Sequence, residues 1–527
     1  MILSLLTFLI AAAMTLCLVP LFSRYAESVG LVDRPDDNRK LHTSVIPMVG
    51  GVSIFYAVLA AVPLAFWLRG FFPLDWYNSL PVMTDQAEIL GLVLAGSFLL
   101  LVGLVDDCYG IRGRQKLLGQ VIAIMILVSF GFRFHGTELL GYQIDFGVFA
   151  VIIVFAWMLA AINSVNLLDG ADGFASTIGI VISLALGAMS WHGGRFFDAS
   201  IAFGMAGALI GFLRYNFPPA KVFLGDSGSM LIGFVLAALA IRCSFKQATA
   251  YAFFAPIALL AIPFIDTAAA IVRRRLTGRS IYSVDRGHMH HTMAKRGFGP
   301  RLSLLWVATM CLTTAAGAVL AVIYEESEYA IISIIIVVGV MFVTRIFGMA
   351  ELQLVSKRLA DAGLTFLASR SKNGKQVQQS MLQLQGNRDW RRVWACLCEF
   401  SDMHEIDQLT FDLNLPWIHE SFHATRKKQS ARRGENQQWQ AEVPVIAAGK
   451  IFGRIEVVAG KDSRFTCQDI IVNLLKLMEE LEDQLVDIAS DRPFRQTSDA
   501  SKMHYPSAER QLLRQSSEIS AKSLPAK

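Results

Sequence analysis

The sequence predicts an all-α polytopic membrane protein of about eleven transmembrane helices, followed by a small α+β cytoplasmic domain at its C-terminal end. Three observations predict this. Of 527 residues, 54% are hydrophobic and only 17% are charged, and the mean hydropathy of +0.46 lies far above that of soluble enzymes. Apolar runs of roughly 17 to 23 residues recur up to about Gly348, each long enough to cross a ~30 Å hydrocarbon core as a helix. Beyond Glu351 no such run occurs, and the composition turns mixed and polar.

The first run, 2–22, reads as a retained span: no basic residue precedes it, it is too long for a signal peptide, and it lacks a small-residue cleavage site. Further runs lie near 48–68, 88–105, 117–132, 147–163, 174–191, 198–213, 228–243, 251–271, 303–323 and 329–347. The loops set their orientation. Arg24, Arg34, Arg39 and Lys40 follow the first span, and Arg112, Arg114 and Lys116 follow the third. Arg273, Arg274, Arg275, Arg279, Arg286, Lys295 and Arg296 lie between the ninth and tenth. Alternate loops such as FFPLDWYNSLPVMTDQ and YEESEY are nearly free of basic residues, so the positive-inside rule puts the basic loops in the cytoplasm, the N-terminus outside and the C-terminal end inside. The net charge of +5 is modest, and no nucleic-acid partner is expected. Seven scattered cysteines argue against a disulfide framework, and Cys396 and Cys398 are one residue short of a CxxC spacing.

Against this apolar background the polar residues of the cytoplasmic loops stand out. NSVNLLDGADGFAS, between the fifth and sixth spans, sets Asp169 and Asp172 three residues apart, so a helical turn would point both carboxylates to one side; Gly170 and Gly173 would admit a ligand close to the backbone. Such a turn could equally be an ordinary polar loop, but the same side repeats the pattern. Asp106 and Asp107 close the third span, with Lys116 ten residues on from Asp106. Asp226 sits in FLGDSGS, a glycine-rich start to a helix of the kind that suits phosphate. DRGHMHHTMAKRG holds His288, His290 and His291 among Arg286, Lys295 and Arg296. If these carboxylates meet, each like-charge pair at ~4 Å costs on the order of 4 kcal/mol at an effective dielectric near 20. A hard cation removes that cost, and oxygen ligands point to Mg²⁺ or Mn²⁺, held by one or two carboxylates while the others do acid/base or orienting work. The three histidines are spaced too tightly for a good zinc site and suit phosphate better.

Together LVDRPDDNRKLHTSVIPMVGG, VDDCYGIRGRQKL, NSVNLLDGADGFA, FLGDSGS and DRGHMHH resemble the signature loops of the polyprenyl-phosphate N-acetylhexosaminyl-1-phosphate transferases, over residues 1–350. The resemblance implies transfer of an N-acetylhexosamine 1-phosphate, with GlcNAc-1-phosphate favoured, from a UDP-sugar to undecaprenyl phosphate at the inner leaflet, releasing UMP. That would begin a cell-surface polysaccharide such as O-antigen, teichoic acid or exopolysaccharide. Met289 interrupts the histidine run, which favours this branch over the phospho-MurNAc-pentapeptide transferases of peptidoglycan synthesis. Carried over by motif, Asp226 is the principal Mg²⁺ ligand, with Asn166 beside it. Asp106 and Asp107 lie nearest the lipid phosphate, one of them the base, and Asp169 and Asp172 form a second catalytic pair. Lys116, Asn163, Asn166, Arg286, His288, His290 and His291 are substrate-binding candidates. Asp266, inside the ninth span, is functional by default or else a cap for local polar groups. The implied setting is the cell inner membrane, with membrane lipids around the chain. A homodimer and a regulatory partner of the C-terminal domain are further expectations.

Two readings from other classes fit the sequence less well. A secondary transporter would carry its carboxylates near the bilayer midplane in two related halves, whereas these gather at one face without an internal repeat. A membrane sensor driven by the tail would leave the loop aspartates without a purpose.

Within 351–490 an α+β domain is predicted. RDWRRVWACLCEF has helical spacing, and WQAEVPVIAAGKIFGRIEVVAG reads as two strands around a glycine-containing turn. Ile471, Leu474, Met478, Leu481, Leu485 and Ile488 then form a helical stripe, a core face rather than a coiled coil. The order faintly resembles GAF or PAS-type sensory folds. His419 and His423 spell HExxH, but the alternation from Leu409 to Trp417 predicts a strand that would separate them by roughly 13 Å, too far to share zinc. His404 reads as a solvated lone histidine, and 491–527 as a disordered tail.

Overall fold

The computed structural model describes residues 2–34, 45–68, 86–133, 137–139, 142–144, 146–244, 250–276, 288–344, 377–385, 388–415, 420–428, 438–461 and 464–489. The chain divides into two compact units, Met1–Asn373 and Gly374–Lys527. The sequence boundary near 350 and the tail from 491 lie outside the described residues.

The first unit is a helical bundle. Its helices are α1 (Ile2–Val29), α2 (Gly50–Leu68), α3 (Gln86–Tyr109), α4 (Gly113–Ser129), α5 (Phe149–Leu168), α6 (Phe174–His192), α7 (Phe196–Asn216), α8 (Gly225–Ser244), α9 (Ala250–Leu259), α10 (Ala261–Leu276), α11 (Met289–Lys295), α12 (Pro300–Tyr324) and α13 (Glu328–Val343). Two short hairpins, β1 (Val32–Asp33) with β2 (Ile46–Pro47) and β3 (Thr137–Leu139) with β4 (Tyr142–Ile144), complete it. Among the described residues eight helices are long and apolar enough to cross a membrane, and nine if α9 and α10, bent by 72° at their break, form one span. α13 is apolar but shorter, and α4 has 17 residues. The chain is thus a multi-pass membrane protein, with a helix at each apolar run predicted above.

Burial ranks the helices. In α8, 83% of the apolar window is buried, against 33% in α1, so α8 is the central post and α1 faces the bundle's surroundings along most of its length. α8 packs against α2, α3, α5 and α6. Two of these contacts are backbone to backbone. A Cβ on Gly103 of α3 would stand 2.3 Å from Ser227 Cα, and one on Gly51 of α2 would stand 2.4 Å from Gly228 N. No residue larger than glycine fits at either point, and the approach brings the last turn of α3 onto the first turn of α8.

The second unit is an antiparallel five-stranded sheet with helices. Its elements are β5 (Val377–Gln385), α14 (Arg391–Met403), β6 (Gln408–Leu415), β7 (Glu420–Lys428), β8 (Gln438–Ala447), β9 (Lys450–Gly460), α15 (Cys467–Glu480) and α16 (Glu482–Ala489), with strand order β5-β7-β6-β9-β8. Leu409, Phe411, Leu413 and Leu415 of β6 are buried in strict alternation and share one apolar cluster with Trp394, Leu397 and Phe400 of α14. The predicted strand pair is β8–β9, turning at Ala448 (φ 48°) and Gly449 (φ 71°), the paired positive φ angles of a tight hairpin. The predicted stripe divides at Leu481 between α15 and α16. Leu474, Met478, Leu481 and Leu485 are buried in the domain's own core.

His423 lies on strand β7, its Nδ1 3.7 Å from Asp412 Oδ1, while His419 lies outside the described residues. His404 corrects the sequence reading. It is buried, accepts a hydrogen bond from Asn473 Nδ2 on Nε2 at 3.2 Å, sits with Nδ1 3.1 Å from the Phe400 carbonyl, and stacks on the Phe400 ring. A single histidine at the end of α14 carries no periodic signal that would have revealed its burial.

Candidate active site

Four helix ends meet around one small polar network. The last turn of α3 brings Asp106 and Asp107, the first turn of α4 Lys116, the end of α5 Asn166 and Asp169, and the first turn of α8 Asp226. Lys116 Nζ lies 3.0 Å from Asp106 Oδ2 and 2.8 Å from Asp226 Oδ1, and so bridges the two carboxyl groups. Asn166 Nδ2 donates to Asp226 Oδ1 and, at 2.8 Å, to Ser229 Oγ. The other oxygen of Asp106 accepts the Ile111 N–H at 2.9 Å, which closes the turn between α3 and α4.

Asp107 behaves differently from its neighbour. Its two oxygens accept the N–H groups of Asp226 at 2.7 Å and Ser227 at 3.1 Å, so it caps α8 from another helix. A Cβ on Gly225, whose φ is +75°, would stand 2.6 Å from Asp107 Oδ2. This corrects one expectation: the α8 N-terminus, which the glycine-rich sequence suggested for phosphate, is occupied by the chain's own carboxylate.

Asp169 ends α5, and its carboxyl is pushed well above the usual range by burial and then by the negative charges of Asp226, Asp107 and Asp172, with Lys116 opposing. Asp172 Oδ2 accepts the Ala220 N–H at 2.9 Å, tying its turn to the segment before α8. The two aspartates occupy a tight turn rather than a continued helix. Asn216, which the sequence reading passed over, holds this turn: its Oδ1 accepts from Gly173 N at 3.0 Å and Ser176 Oγ at 3.1 Å, and its Nδ2 donates to the Val222 carbonyl at 3.0 Å. Asn163 exchanges hydrogen bonds with Gln120, at 2.8 and 3.3 Å, one turn back along α5. Gln120 and Ser229 were also missed, since a lone polar residue inside an apolar run does not announce its partner.

The histidines sit over the 169–173 turn. A Cβ on Gly170 would stand 3.1 Å from His290 Cε1, so the glycine admits this ring. His290 is buried, its ring nitrogens have no hydrogen-bond partner among the described residues, and burial, with His288 close by, pushes the imidazole down to about 4. At neutral pH it is therefore an uncharged hydrogen-bonding group rather than a cation for phosphate. His291 leans on it with ring centroids 4.1 Å apart. His288 Nδ1 lies 2.6 Å from Asp266 Oδ2. Arg286 lies outside the described residues.

Among the described residues no point gathers three His, Cys, Asp or Glu side chains about a metal. The donor chemistry instead suits a hard cation bound by one or two carboxylates, with water and substrate oxygens completing its shell.

A bundle of membrane-length helices whose ends assemble carboxylates, a lysine and uncharged imidazole defines a multi-pass membrane protein with a charged site at its helix ends. The family profile described as "Glycosyl transferase family 4" matches residues 89–244, which include Asp106, Asp107, Lys116, Asn166, Asp169, Asp172 and Asp226. Among similar proteins is a probable undecaprenyl-phosphate N-acetylglucosaminyl 1-phosphate transferase of Bacillus subtilis (strain 168), 30% identical over 301 residues, or 56% of this chain and 79% of the relative. A decaprenyl-phosphate N-acetylglucosaminephosphotransferase of Mycolicibacterium smegmatis is 30% identical over 58% of this chain and 80% of its own. An undecaprenyl-phosphate alpha-N-acetylglucosaminyl 1-phosphate transferase of Salmonella typhi is 31% identical over 58% and 79%. The chain belongs to the polyprenyl-phosphate N-acetylhexosaminyl-1-phosphate transferases of glycosyl transferase family 4.

Proposed function

We propose that this protein transfers GlcNAc-1-phosphate from UDP-GlcNAc to undecaprenyl phosphate at the cytoplasmic leaflet of the inner membrane, releasing UMP and starting a surface polysaccharide. In this reading eleven spans cross the membrane, counting α4, the bent α9–α10 pair and α13 with the eight long helices. The N-terminus is then outside, and the site and C-terminal domain are cytoplasmic. The observation that carries the proposal is the meeting of Asp106, Lys116 and Asp226 at the ends of three helices, beside Asp169. Phosphoryl transfer needs two anionic phosphates brought together and charge on their oxygens balanced, with little covalent help.

Lys116 supplies a fixed positive charge between two carboxylates, poised to exchange one of them for substrate oxygens. Asp106, whose Oδ2 faces Lys116 rather than a backbone N–H, is the base that keeps the acceptor phosphate deprotonated. Asp107 keeps the first turn of α8 in place, and with it Asp226. Asp226, with Asn166 beside it, would hold Mg²⁺. When bound, the ion neutralises the donor's diphosphate oxygens. The acceptor phosphate attacks the β-phosphorus directly, forming its P–O bond as the bond to the UMP oxygen breaks. A phospho-sugar enzyme isolated in single turnover without lipid would overturn this step.

The decisive experiment is UMP release from UDP-GlcNAc by the full-length protein in lipid. Release is expected only with both Mg²⁺ and undecaprenyl phosphate present, and release without the lipid phosphate would reject the proposal. The C-terminal unit, with its own core, is proposed as a regulatory domain that binds a partner or supports a homodimer. Truncation after residue 350 that left activity, abundance and self-association unchanged would remove that role.

A further inference from the structure

Asp266 lies in α10, fully buried, within a stretch made mainly of alanine and isoleucine that precedes three arginines. A carboxylate so enclosed is costly unless donors surround it. Two donors do. Its Oδ1 accepts the Met289 N–H at 2.9 Å, and its Oδ2 lies 2.6 Å from His288 Nδ1. Both partners belong to the start of α11, where His288 is the N-cap residue with extended backbone (φ −60°, ψ 152°) and makes no side-chain cap. The carboxylate therefore replaces the missing cap and binds the ring beside it.

We infer that Asp266 is a positioning residue for the site: it locks His288 as the Nδ1–H tautomer, leaving Nε2 as its working nitrogen, and holds α11 over the 169–173 turn. An ionised carboxylate can only accept, so the short contact requires the proton on Nδ1. From there the placement propagates. The His288 and His290 rings lie parallel, 5° apart in plane and 6.1 Å between centroids, and His290 fills the space over Gly170, with Phe174 at its edge. A shift of α11 would thus move the imidazole that abuts the turn between Asp169 and Asp172. The spectroscopic half of this inference is independent of the enzymatic reading, whereas the kinetic half rests on it.

The test uses the full-length protein in lipid nanodiscs with ¹⁵N-labelled histidine, the His288 signals being assigned by their loss in His288→Gln. The expected spectrum shows a protonated Nδ1 and a bare Nε2 at neutral pH, and Asp266→Asn should move the ring towards Nε2–H. In UMP release, Asp266→Asn should lower kcat by about 10- to 100-fold, by analogy with the loss of a carboxylate that orients a metal-bound histidine. KM for UDP-GlcNAc should change far less, and Asp266→Asn added to His288→Gln should cause no further loss. A wild-type His288 protonated on Nε2 would overturn the inference, as would Asp266→Asn with wild-type kcat or losses that multiply in the double variant. Should Asp266→Asn fail to accumulate, the wild-type spectrum still decides. Absence of any wild-type UMP release would reject the transferase reading and leave the tautomer to be judged by the spectrum alone.

Discussion

The two ends of α3 and α8 make opposite uses of charge. At one end stand Asp106, Asp107 and Asp226, with Asp169 and Asp172 nearby and Lys116 the cation among them. At the other end, about 27 Å along α3 at 1.5 Å per residue, Glu88 of α3 meets Arg242 of α8. Arg242 Nε also donates to Asp198 Oδ1 of α7 at 2.8 Å, and Arg195 lies 2.6 Å from Asp198 Oδ2. There two carboxylates face two guanidinium groups, all hydrogen-bonded, and Glu88, Asp198 and Arg242 are buried. A balanced buried network holds helices in register, whereas a surplus of one sign awaits something from outside. The contrast shows why an intramembrane charge need not mark a reacting site: Glu88 and Arg242 are buried, yet their partners satisfy them.

The comparison can be broken most directly at the acidic end. Asp226→Ala should reduce UMP release by about 10³-fold or more, the scale of losing a principal charge-organising group, with the protein still inserted because Asp106 keeps Lys116 paired. Normal turnover would reject the site. At the balanced end Arg242→Met should lower stability on the order of 3–5 kcal/mol, since it leaves Glu88 buried without this partner. A lower thermal midpoint with unchanged turnover per folded molecule is expected, and lost turnover without lost stability would erase the distinction between the ends. Gly103→Ala tests the contact that joins the acidic groups. Its Cβ would meet Ser227 Cα at 2.3 Å, so α3 and α8 must part. About 1–3 kcal/mol of stability should be lost, with a disproportionate fall in kcat, and unchanged kcat would show that the backbone approach does not set the site.

The effect that leaves activity least changed at neutral pH is acid sensitivity through His290. Its ring, held at about 4 against an ordinary 6.5, stays neutral in the folded protein while the unfolded chain takes up a proton. Stability should therefore fall as pH drops from about 6.5 to 4, by at most about 1.4 kcal/mol per pH unit. His290→Gln should flatten that slope in thermal unfolding, and an unchanged slope would place the titration elsewhere.

Much of the layout is legible in the sequence because the membrane imposes a length and polarity that apolar runs must obey. Each predicted run coincides with a helix, although among the described residues eight helices meet the length and hydropathy of a span outright. The β8–β9 hairpin and the alternating burial of β6 were equally readable, since period-2 patterning records which face is wet. The loop aspartates could be picked out because charge is scarce nearby. What each aspartate touches was not readable. Asp106 and Asp107 are adjacent in sequence and look interchangeable, yet one faces Lys116 and the other caps α8. Likewise His290 reads as a cation for phosphate until its burial is seen, and His404 as solvated until Phe400 and Asn473 enclose it.

The sequence alone determined that this chain threads a membrane many times and gathers its unusual carboxylates in a few short turns, because hydropathy and local spacing are properties of contiguous residues. Only the tertiary structure decided which carboxylate answers which amide, amine or imidazole. Several of those pairings join residues 60 to about 120 positions apart, such as Asn166 with Asp226 and Asp107 with the start of α8. Close glycine contacts between helices create them, and no local pattern records such contacts.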